Sequence, residues 1–131
     1  MSVTLDNGTS AHILQAREKV YAREKQCAHE NALLAERATD DADAIIAMIV
    51  ACYRPLRIYQ WGSLLRAGGF KPYSDIDIAV EGICEAERFF ALLGQAQEMT
   101  EFPVDIVQIE KIAPEYAEDI RLHGKLIYER T

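Results

Sequence analysis

Asp75 and Asp77 stand two apart in the run SDIDIAV, and Asp105 is the second residue of VDIVQI. In an extended strand, residues i and i+2 point to the same face, so Asp75 and Asp77 reach toward one point. Two such carboxylates suit a magnesium ion, which takes hard oxygen ligands and leaves positions open for phosphate oxygens. Pairing of the VDIVQI strand beside IDIAV would bring Asp105 to the same place. Three carboxylates among apolar strand residues repel each other and are costly to desolvate, which is a physical reason to expect a cation there. Twelve residues before Ser74 comes Gly62-Ser63. Glycine lets backbone approach a phosphate closely, and serine adds a hydroxyl and a backbone N–H. No Walker lysine motif is present, which excludes a P-loop.

The elements that must hold these residues alternate along the second part of the chain. Residues 56–61 (LRIYQW) read as a short strand rich in β-formers, and 62–74 as a loop with one helical turn. Residues 76–80 (IDIAV) alternate as a strand closed by Gly82, and 104–109 (VDIVQI) form a third. Helices are expected over 85–97 and 114–123, the latter opened by Pro114 and ended near Gly124. Residues 125–128 make a last short strand. Upstream, Asp6-Asn7-Gly8 signals a turn, and Thr9 and Ser10 are good caps for a helix running toward Arg37. Along it Ile13, Val20, Cys27 and Leu34 recur every seven positions, with Leu14, Tyr21, Ala28 and Ala35 beside them. This stripe is too narrow to stabilise an independent helix, so it must pack on the next helix or on a second subunit. Thr39-Asp40-Asp41 marks a break, and 42–53, apolar almost all round, reads as a second, buried helix ended before Pro55. The expected architecture is α+β (α/β-like): a small mixed sheet with flanking helices over 55–131, preceded by two N-terminal helices in a helical region over 1–54.

The bulk composition narrows the partners. Fourteen basic against twenty-one acidic residues give a net charge of −7, which repels bare nucleic acid, so no direct nucleic-acid binding is expected. Arg54, Arg57, Arg66 and Lys71 precede Asp75 with no acid among them, an excess that would suit a phosphate; Arg66 and Lys71 are the candidates to neutralise one. Three widely spaced cysteines without metal-ligand spacing argue against zinc or a disulfide framework and read as reduced, mostly buried thiols. No apolar run approaches a membrane span and no signal peptide is visible, so a cytoplasmic protein is expected. His12, His29 and His123 lie far apart and read as non-catalytic. Tyr59 and Trp61 read as core residues rather than base-stacking platforms.

WGSLLRAGGFKPYSDIDIAVEG followed by FPVDIVQIE resembles the minimal nucleotidyltransferase (MNT) domains of the DNA polymerase β superfamily, over about residues 50–131. The resemblance implies a polymerase β-type fold. It implies Asp75, Asp77 and Asp105 as magnesium (or manganese) ligands and catalytic residues, with Asp105 also helping to activate an acceptor hydroxyl. Gly62 and Ser63 would hold the β- and γ-phosphates of ATP or another nucleoside triphosphate, and Ser74 counts with the phosphate-binding group. Two features depart from the family pattern. Leu65 takes a position that is usually small, and Gly68 sits one place late. Small MNT proteins are often antitoxins of all-helical HEPN toxins, some of them adenylylating a tyrosine of that partner. A transfer of AMP from ATP to a hydroxyl of such a partner is thus implied, and a homo-oligomer through the N-terminal helices is a further expectation. The competing reading is a non-catalytic module that neutralises a partner by contact and keeps a residual nucleotide site. A small-molecule transferase would need a further domain.

Overall fold

The computed structural model describes the backbone of residues 7–131 and the side chains of residues 11–131. A single helix, α1 (Asn7–Tyr53), is followed by β1 (Arg57–Trp61), a 3-10 turn (Ser63–Leu65), β2 (Ile76–Glu81), α2 (Ala86–Glu98), β3 (Val104–Gln108), α3 (Pro114–His123) and β4 (Lys125–Glu129). The strands form one mixed sheet in the order β3-β2-β1-β4. β1 is antiparallel to both β2 and β4, and β3, reached through α2, is parallel to β2. This is the α+β class expected, and the sheet elements fall within a residue or two of their sequence-based bounds.

Strand alternation sorts the core into two layers. Ile58, Ile76, Ile78, Val80 and Ile106 face α1 and α2, where they meet Ala42, Ile45, Ile49, Phe89 and Leu92. Tyr59, Ala79 and Ile109 face the other way, onto Ala117 and Ile120 of α3. Asp77 lies two residues before Ala79 in β2 and so belongs to the α3 face, beyond the area that α3 covers.

The N-terminal region is one helix, not two. The chain contains no Gly or Pro between Gly8 and Pro55, and the apolar row Leu34, Ala38, Ala42, Ile45, Ile49 runs at helical spacing straight through Thr39-Asp40-Asp41. Ala38 and Ala42 are fully buried against the sheet, and Asp41 accepts a 2.6 Å hydrogen bond from Thr100 instead of capping a new helix. Packing on both sides of the polar triplet overrides its capping tendency. The expected turn at Asp6-Asn7-Gly8 begins outside the described residues, and Thr9 and Ser10 lie inside the helix rather than at its cap. Residues 42–53 bury one face only; Ala44, Ala47 and Cys52 are exposed. The stripe at Ile13 and Val20 does not fold back, since a straight continuous helix cannot pack on its own C-terminal half. Every residue from 11 to 30 is exposed.

The cysteines also differ from expectation: Cys27, Cys52 and Cys84 are all exposed. Cys27 lies on the uncovered part of α1, Cys52 on its outer face, and Cys84 in the loop before α2. Among the described residues no helix is long and apolar enough to cross a membrane.

Candidate active site

β2 and β3 start together at one end of the sheet, and their parallel register sets Asp77 directly beside Asp105. Antiparallel register on the other side sets Asp77 opposite Trp61, the last residue of β1. Gly62 therefore leaves β1 immediately over the Asp77 side chain. It has φ +86°, a conformation other residues rarely adopt, and a Cβ there would overlap the Asp77 carboxylate, lying 2.9 Å from its Cγ and closer still to Oδ2. The loop then turns through the 3-10 segment, with Leu65 N–H donating to Gly62 O and Arg66 N–H to Ser63 O, both at 3.2 Å. Gly69, not Gly68, is the glycine pressed against this turn: its Cβ would stand 2.8 Å from Ser63 O, whereas Gly68 at φ +70° faces open space.

The loop closes on Ser74. Lys71 N–H donates to Ser74 Oγ at 2.9 Å, and Ser74 N–H donates to Lys71 O at 3.0 Å, so the serine fixes the turn that delivers Asp75. The Lys71 ammonium donates to Gly68 O at 3.0 Å, and Arg66 is exposed on the loop. The basic stretch is split by the fold. Arg57 pairs with Glu81 at 3.2 Å and Glu129 at 2.9 Å. It stands at the opposite end of β1 from Trp61, about 13 Å away at strand rise, and belongs to a structural network with Arg121.

The electrostatics are those of crowded acids, of which Asp77 is half-buried while Asp75 and Asp105 are exposed. Burial, then the charges of Asp105 and Asp75, pushes the Asp77 carboxyl up to about 7. Burial and Asp75 raise Asp105 as well. None of the ion pairs of the described residues involves these three aspartates. Such a set gains from a cation and fits the chemistry of magnesium, which needs only one or two carboxylates beside substrate phosphates. Among the described residues no three acidic, His or Cys side chains already form a closed ligand set.

One residue at the site was not legible in the sequence. Tyr116, in the first turn of α3, packs edge-on against Trp61 with ring centroids 5.6 Å apart. Burial, then Asp105 and Asp77, raises its hydroxyl pKa, so it stands as a neutral phenol beside the acids. Nothing in its local sequence marks it; only the packing of α3 on the sheet brings it there. Tyr59 is a core residue as expected. His123 pairs at 2.9 Å with Asp119 on the exposed surface of α3, and His12 and His29 are exposed on α1.

The mixed sheet carries a glycine turn over the neighbouring Asp77 and Asp105. In comparison with known families, residues 44–131 match the polymerase β nucleotidyltransferase model, and the chain belongs to that family. Curated protein sequences yield no match. Solved structures resemble it in fold. One, of the toxin–antitoxin pair MntA–HepT, is 19% identical over 70% of this chain and 73% of that one, with a TM-score of 0.54. A toxin–antitoxin structure with AMP-PNP is 22% identical over 69% and 74%, with a TM-score of 0.58. A complex of tri-AMPylated Shewanella oneidensis HEPN toxin with its MNT antitoxin is 20% identical over 71% and 73%, with a TM-score of 0.54.

Proposed function

We propose that this chain transfers AMP from ATP to a hydroxyl of a helical HEPN-type partner and thereby acts as its antitoxin. The observation that carries this reading is the register of β2 and β3, which sets the half-buried Asp77 beside Asp105 under the Gly62 turn. The similarity to complexes with AMP-PNP and with an AMPylated HEPN toxin supports the choice of nucleotide and partner.

On this reading Gly62 and Ser63 hold the β- and γ-phosphates, and Ser74 keeps the loop closed around them. Lys71 and Arg66 offset triphosphate charge. Asp75, Asp77 and Asp105 would hold magnesium, which when bound would neutralise charge on the phosphates and at the leaving oxygen. The acceptor oxygen attacks the α-phosphorus, its proton passes to Asp105, and the bond to the β-phosphate oxygen breaks to release pyrophosphate. The open surroundings of Gly68 favour the second reading, in which the chain neutralises its partner by contact alone.

Transfer of labelled AMP from ATP to the co-expressed helical partner, with mass spectrometry of the adduct, separates the two. The transferase reading expects adduct with the natural chain and a fall of orders of magnitude with Asp105→Asn, along with lost neutralisation in cells. No adduct from either, with neutralisation intact, establishes the contact reading instead.

A further inference from the structure

α1 carries an apolar face that is exposed over residues 11–30, with Lys71 of the loop after β1 at the edge of the groove beside Val20, Glu24, Cys27 and Ala28. Over residues 11–30 no side chain is buried, and Ile13, Leu14, Val20 and Tyr21 are 45%, 57%, 52% and 60% exposed. Ile13, Ala16, Arg17, Val20, Tyr21 and Glu24 line a shallow groove along this stretch. At helical spacing the face has three rows. Ile13, Val20 and Cys27 form one edge, Leu14, Tyr21 and Ala28 the other, and Arg17 and Glu24 run between them. A lone exposed helix of this length is marginal in water, so the face calls for an occupant.

The charges in the middle row identify that occupant. In a two-fold antiparallel pair each row meets the same row of the other copy. Centred between Val20 and Tyr21, this sets Arg17 against Glu24 of the second copy, and Glu24 against its Arg17. Ile13 then meets Cys27, Val20 meets Val20, Leu14 meets Ala28, and Tyr21 meets Tyr21. That axis lies at the midpoint of the exposed stretch, so the pairing uses about 30 Å of helix and sends the two globular bodies to opposite ends. A parallel in-register pair sets Arg17 on Arg17 and Glu24 on Glu24, which repel. A parallel pair staggered by one heptad relieves that repulsion but forms a contact that does not close on itself. We propose that residues 11–30 of α1 pair antiparallel with the same stretch of a second copy of this chain, Arg17 and Glu24 selecting the orientation. Lys71 of the loop after β1 lines the groove beside Val20, Glu24 and Cys27, and the test of the pairing needs no nucleotide.

The test is sedimentation and light scattering of the full chain, with circular dichroism to confirm that each variant keeps its helix. The natural chain should be a dimer. Arg17→Glu and Glu24→Arg should each weaken it about tenfold or more, since both charge contacts become repulsive. The double variant Arg17→Glu/Glu24→Arg should recover the natural strength. Cysteine chemistry reports direction independently. With all three natural cysteines replaced by serine, Val20→Cys should give a disulfide-linked dimer on mild oxidation. A chain keeping Cys27 alone should not, because the axis leaves its two copies about 20 Å apart. A monomeric natural chain, charge reversals without effect, or ready self-crosslinking through Cys27 would each overturn the proposal.

Discussion

Asp77 sits beneath Gly62 with two further carboxylates in range, and its ionisation is the most disturbed in the described chain, raised to about 7 from 3.8. A carboxyl raised on folding stabilises the fold while protonated, and that stabilisation is lost as pH rises through the folded value. In chelator-treated protein, the melting temperature of the natural chain should therefore fall between about pH 4 and pH 7 relative to that of Asp77→Asn. Parallel curves for the two proteins would show that Asp77 does not carry this charge penalty. Magnesium with ATP should raise the melting temperature of the natural chain by mass action, and Asp77→Asn should abolish the rise. An equal rise in both would place the nucleotide elsewhere.

At the level of elements, the Gly62 turn and the α1–sheet contact are two places with little spare room. Gly62→Ala combines a strained φ with overlap on Asp77; it should lower stability by about 2 kcal/mol or more and remove the nucleotide-dependent shift. Gly68→Ala, strained but facing open space, should lose about 1 kcal/mol and keep the shift. Chemical denaturation of the two variants, with and without nucleotide, checks the difference. Ala42 is fully buried where α1 meets the sheet, so Ala42→Leu should destabilise by about 1–3 kcal/mol. Ala44→Leu, on the exposed face of the same helix, should be near neutral. Comparable losses from both would mean that α1 does not sit on the sheet as described.

For the whole molecule, α1 divides into a part that belongs to the core and a part, residues 11–30, whose side chains are all exposed. Deleting residues 1–30 removes only side chains outside the described core, so the remainder should unfold at nearly the natural denaturant midpoint. Deleting 1–37 also removes Leu34 and Ala35, which pack against that core, and should lower the midpoint measurably. A collapse of stability on the shorter deletion would show that residues 11–30 support the fold.

The local patterns of the sequence were enough to define the sheet and its acids. The β-forming runs IDIAV and VDIVQI, each with one aspartate at its second place, specified the strands, while Asp75 lies just before β2 begins at Ile76. Pro114 and Gly124 bounded α3 for equally local reasons, steric and conformational. Tertiary structure decided what depends on partners distant in sequence. Thr39-Asp40-Asp41 has the chemistry of a helix start, yet burial of Ala38 and Ala42 on the sheet carries α1 through it. Arg57 counted with Arg66 in the basic stretch before Asp75, but strand register ties it to Glu81 and Glu129 at the far end of the sheet. Tyr116 reached the acids only through the packing of α3. Capping, charge clustering and aromatic placement are each weak local preferences of about 1 kcal/mol, and contacts made across the fold outweigh them.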